Sequence, residues 1–143
     1  RMGGVKMAKK EENVSTDDAV LQTLLDLTDK DGMEIGLTLN VNGAVIAGTL
    51  VGPHTYYEGI ISSADDVENG TLSHVLHKKF TDLKEAYISE KQKEEEKSKQ
   101  DMIATFIHLK DAVYITANTQ SPFKSHAWWR GRIDSIDAFS FKL

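Results

Sequence analysis

Ile35-Gly-Leu-Thr-Leu-Asn-Val-Asn-Gly-Ala-Val-Ile-Ala-Gly-Thr-Leu50 is the stretch on which the fold turns. Ile35, Leu37, Leu39 and Val41 alternate with Gly36, Thr38 and Asn40, the period of a half-buried strand. Asn42-Gly43 follows, a pair suited to positive φ at both central positions of a two-residue type I′ turn. Such a turn dictates register: Val41 opposes Ala44, Leu39 opposes Ile46, Leu37 opposes Gly48 and Ile35 opposes Leu50. The apolar side chains of both strands then fall on one face. Gly48, with no side chain to set against Leu37, marks curvature or close approach by another element, as at a barrel corner.

Upstream of this hairpin, Ser15-Thr16-Asp17-Asp18 offers N-cap oxygens, and Val20, Leu21, Leu24, Leu25 and Leu27 recur at helical spacing. The spacing predicts a helix of about three turns ending near Asp29, with Gly32 free to take the left-handed conformation just past its end. Asp29 to Gly32 has the start of a calcium loop, but Met33 stands where an acidic ligand is needed, so it reads as a helix stop. Residues 1–14 are polar and read as a disordered tail or an expression remnant, with Met2 or Met7 as the natural start. Residues 15–143 then form one domain.

Downstream, Gly52-Pro53 breaks the strand, and Tyr56, Tyr57, Ile60 and Ile61 suggest a short helix or turn. A longer helix follows from about Val67, its stripe made by Leu72, Leu76, Phe80, Leu83, Tyr87 and Ile88. Residues 89–101 contain no apolar side chain and read as a solvated helical extension or a disordered loop. Four short strands are then expected: Met102 to Leu109, Ala112 to Ala117 after a Lys110-Asp111 turn, Ala127 to Ile133, and Ser135 to Phe141. The fold class is α+β: a curved antiparallel sheet or small β-barrel of about six strands, packed with an N-terminal helix and a central helical excursion.

Composition narrows the function. The 143 residues carry 17 Lys plus Arg against 22 Asp plus Glu, a formal charge of −5, which disfavours phosphate-backbone binding as the main activity. There is no Cys, hence no thiol nucleophile and no Cys-type zinc site. No apolar run approaches the roughly 20 residues of a membrane span. P-loop, G-x-S-x-G, H-E-x-x-H and G-x-G-x-x-G signatures are all missing. His74 and His77, three apart on one helix, could start a metal site, but no third ligand stands at a suitable spacing. His108, between Ile107 and Leu109, points opposite to both and reads as outward or hydrogen-bonded, with a catalytic base as the minor alternative. No catalytic residue, metal or cofactor is expected, and the chain is read as a non-enzyme.

The densest unusual cluster is His126-Ala-Trp-Trp-Arg-Gly-Arg132. In a strand, Trp128, Arg130 and Arg132 share one face, and Trp129, Gly131 and Ile133 the other. One reading makes Trp129 and Ile133 core while Trp128 stacks under the guanidiniums outside. The other makes Trp128, Arg130 and Arg132 a binding hot spot, joined by Tyr56 and Tyr57, since Trp, Tyr and Arg dominate interface anchors. Both stay open.

Three blocks, 37–50, Phe106-Ile-His-Leu-Lys110 and Trp129-Arg-Gly-Arg-Ile133 with the following Asp137-Ala-Phe139, together resemble the gas vesicle accessory protein GvpU family. The resemblance implies a cytoplasmic protein that assists the assembly or organisation of gas vesicles, distinct from the shell subunit. It supplies no catalytic residues. Its implied partners are shell or other accessory proteins; no membrane is expected, nucleic acid is disfavoured, and homo-oligomerisation stays open. The alternative is a small-barrel nucleic-acid binder of Sm-like appearance, suggested by the helix ahead of a bent hairpin.

Overall fold

The computed structural model describes residues 18–97, 104–115 and 127–142, so the expected tail at 1–14 lies outside the described residues. Helix α1, Ala19–Lys30, starts where Asp18 Oδ1 accepts the Leu21 N–H at 2.9 Å, satisfying one of the orphan donors of the first turn. It stops at Gly32, whose φ of 68° lets the Met33 N–H reach back to the Leu27 carbonyl at 3.2 Å.

The hairpin follows as β1, Ile35–Val41, and β2, Ala44–Val51, paired in the register that the Asn42-Gly43 turn dictates. Asn42 and Gly43 have φ of 50° and 85°, the type I′ signature. The chain then forms α2, Pro53–Ala64, with Pro53 in the first turn where its missing N–H costs nothing, and α3, Gly70–Lys97. Ser73 donates to the Ala64 carbonyl, Lys84 meets Glu58 and Tyr57 meets Tyr87, so the two helices run antiparallel. The charged run is therefore helical as far as Lys97, and its remainder lies outside the described residues.

Strands β3, Phe106–Ile115, β4, Trp129–Arg132, and β5, Ile136–Lys142, complete an antiparallel sheet of order β4-β3-β2-β1-β5. This is the expected α+β architecture in its curved-sheet form, not closed into a barrel and with five strands in place of about six. The difference lies at Lys110-Asp111, where no turn occurs. Asp111 takes φ of 54°, and it and Ala112 together oppose Gly48, so the positive φ is absorbed in a bulge and the chain continues as one strand. Gly48 permits this close approach: a Cβ would lie 3.0 Å from the Lys110 carbonyl oxygen and 3.2 Å from Ala112 Cα, tighter than ordinary contact. A second register shift separates Asn40 from Val41 on the β1/β5 seam. Asp137, the extra residue at that point, accepts the Asn42 N–H at 3.0 Å and so ties the hairpin turn to the last strand.

Curvature is compulsory as well as encoded. β4 and β5 are opposite edges, which in a flat five-stranded sheet would stand about 19 Å apart. A single 3-10 turn, Ile133–Ser135, joins them, and four Cα steps reach at most about 14 Å. The curled sheet closes over α1: Leu21, Leu24 and Leu25 pack with Leu37, Leu39, Ile46, Leu50, Ile107, Leu109, Ala112 and Ile133. Replacing Gly43 by Val should cost about 1–2 kcal/mol of stability from the strained φ. Gly48→Val should cost more, because backbone rather than a flexible side chain blocks the added atoms. Thermal unfolding of both variants measures the order; a harmless Gly48→Val would remove the close approach as the cause of the bend.

Candidate functional site

Along β3, Ile107 and Leu109 face the core, so Phe106 and His108 face the opposite side, where α2 lies. Strand β4 sets Arg130 directly across from His108. The Arg130 Nε–H donates to His108 Nε2 at 3.1 Å, and its guanidinium sits 3.8 Å from the centre of the Phe106 ring. Two successive residues of α2 close over this pair: the ring of Tyr56 lies 4.7 Å from that of His108, and that of Tyr57 6.4 Å. Trp128, just ahead of β4, meets Tyr56 edge-on with centroids 6.2 Å apart and lays its indole against Gly59, the one point on α2 without a side chain in the way.

Four of the five residues singled out in the sequence, Tyr56, Tyr57, Trp128 and Arg130, thus meet in one aromatic pad. Arg132 does not join them. It is exposed and turns to Asp134, with its Nε 3.3 Å from the carboxylate. Trp128 is half-buried between the sheet edge and α2, and the guanidinium that would stack on it covers Phe106 instead. Trp129 packs on the core and donates its indole N–H to the Tyr114 hydroxyl at 3.2 Å.

The centre of the pad is His108, which sequence reasoning left at the margin. Its alternation with Ile107 and Leu109 gave its side of the sheet, but nothing local revealed that α2 would cover it. It is only 3% exposed, and burial, reinforced by the Arg130 charge, lowers its pKa from 6.5 to about 4. Asp29 opposes this shift more weakly. Burial also pushes the Tyr56 hydroxyl up, with Arg130 acting the other way. The arrangement can present aromatic faces and one delocalised cation to a partner. A neutral imidazole whose lone pair is already taken by Arg130 is a poor proton acceptor near pH 7. His74 and His77 are exposed on α3, and no group of three His, Asp or Glu among the described residues could hold a metal ion.

A family model described as gas vesicle protein GvpU-like matches residues 18–143. The chain belongs to the GvpU-like family. This makes it a gas vesicle-related protein, and the matched region of this GvpU-like chain runs from the N-cap of α1 through the whole pad. Comparison with curated proteins and with solved structures found no match. Among the described residues, no helix of the GvpU-like chain is long and apolar enough to cross a membrane.

The His108 environment makes this GvpU-like fold acid-sensitive. As pH falls below about 6.5 the unfolded chain takes up a proton that folded His108 refuses until about pH 4, so stability drops across that window, by up to about 3 kcal/mol. Urea unfolding at pH 7, 5.5 and 4.5 should show that loss, and His108→Gln should flatten it; an unchanged slope in the variant would assign the loss to other groups.

Proposed function

We propose that this GvpU-like protein is a noncatalytic interaction module that assists the assembly or clustering of gas vesicles, acting in the cytoplasm at the vesicle. It binds a shell protein or another accessory protein through the pad of Tyr56, Tyr57, Trp128 and Arg130, and needs no cofactor. The observation that carries the reading is the convergence of two Tyr, a Trp and an Arg from separate elements at the half-buried seam between α2 and β4. Those residue types supply rigid contact area and a weakly hydrated cation, which is what interface anchors require. The acceptor lone pair of His108 is occupied, which supports a binding rather than a proton-transfer role.

A nucleic-acid-binding role is the second reading, favoured by the helix in front of a strongly curled small sheet. Its basic side chains speak against it: Lys91 pairs with Asp29, Lys110 with Glu34 and Arg132 with Asp134. Phosphate contacts would have to break those pairs.

Co-sedimentation with purified vesicles separates the readings. Trp128→Ala should reduce vesicle association at least about tenfold while the protein still unfolds cooperatively, as expected when an interface anchor is truncated. The wild-type association should change little between low and moderate salt, since aromatic contacts release few counterions. A folded Trp128→Ala protein that sediments like wild type discards the pad, and steep salt-dependent binding to an oligonucleotide would favour the second reading.

A further inference from the structure

The buried cluster around α1 draws nothing from α2 or α3. Every residue of the buried cluster comes from α1, β1, β2, β3 or the 3-10 turn, and among the described side chains of the two helices only Ala64 is fully buried. Leu72, Val75 and Leu83, on the outer side of α3, are between 43% and 49% exposed, so that helix does not spend its apolar stripe on the sheet. Two sets of contacts among the described residues tie the helix pair to the rest of the molecule. One is the aromatic pad over His108. The other is a polar clasp on Asp29 at the end of α1: the Tyr87 hydroxyl donates to its carboxylate, and Lys91 Nζ lies 3.1 Å from both its Oδ1 and its backbone oxygen. Between the end of α1 and the two helices runs an open groove of about 680 Å³, lined on one side by Thr28 and Asp31 and on the other by Thr55, Tyr87 and Ile88. The chain enters the pair at Gly52, which packs against the backbone of Thr28 and Asp29, and Pro53 then fixes the first helical φ.

We propose that α2 and α3 form an arm that opens as one body about Gly52, and that the Asp29 clasp sets how often the pad is uncovered. Opening leaves the cluster between α1 and the sheet intact, which is the property of segments that open locally while the core stays folded. The open form bares His108 and Trp128 on the sheet, beside the already exposed Arg130, and carries the rings of Tyr56 and Tyr57 away on the arm. The link to partner binding rests on the pad reading above; the motion does not.

Amide hydrogen exchange tests the motion on the full chain. Asp29→Ala should speed exchange across α2 and α3 by about tenfold or more while β1, β2 and β3 keep wild-type rates. Tyr87→Phe, which removes one hydrogen bond and keeps the ring, should act in the same direction and less strongly. Arm amides that exchange only as fast as the sheet core, or that ignore both variants, overturn the proposal. The chain has no native Cys, so D29C/K91C can be bridged at those two positions alone by a short bismaleimide. The bridge should slow arm exchange below wild type and, by holding the pad assembled, leave vesicle co-sedimentation intact. Slower exchange with lost co-sedimentation would keep the arm and refute the assembled pad as the partner site; unchanged exchange in the bridged protein would refute the arm.

Discussion

Arg132 and Ile136 belong to opposite edges of the sheet and are separated by one 3-10 turn, a constraint that no flat arrangement of five strands can meet. The sheet must curl, and it has to do so at defined points. The bulge where Asp111 and Ala112 face Gly48 supplies one bend, and the shift at Asn40 and Val41 supplies another. Curl turns Leu37, Leu39, Ile46, Leu50, Ile107 and Leu109 toward one another around α1, so the apolar burial that stabilises the domain follows from backbone geometry at two irregular positions.

Strand alternation then gives β3 a second face with a different chemistry. Ile107 and Leu109 are entirely buried in the core, whereas His108 between them is buried against Arg130 and the tyrosines of α2. Burying a histidine beside an arginine is unfavourable for the charged imidazole, and the molecule resolves the conflict by keeping His108 neutral and using it as an acceptor. The core face and the pad face therefore differ in kind: one is held by area alone, the other by directed contacts that include a charge.

What could be read from the sequence follows the range of the interactions. The hairpin was fully legible, including its register, because Asn42-Gly43 and the alternation on either side state the same pairing. The α1 cap and stop were legible for the same local reason. Lys110-Asp111 was not, because a residue able to take positive φ between two apolar runs has the same signature whether the chain reverses or bulges; the partner strand decides, and Gly48 lies far away in sequence. The pad was half legible. Residue types marked Trp128, Arg130 and the tyrosines, but the register that sets Arg130 on His108, the docking of Trp128 on Gly59 and the capture of Arg132 by Asp134 depend on which elements meet.

The pad draws on residues from positions 56, 57, 106, 108, 128 and 130, with β4 leaving the ribosome well after α2. During synthesis the tyrosine-bearing helix emerges long before the strand that completes the surface. A chain that stops before β4 carries the tyrosines without the Trp128 and Arg130 that complete the pad. The pad is therefore a property of the completed fold, absent from copies that stop short of β4.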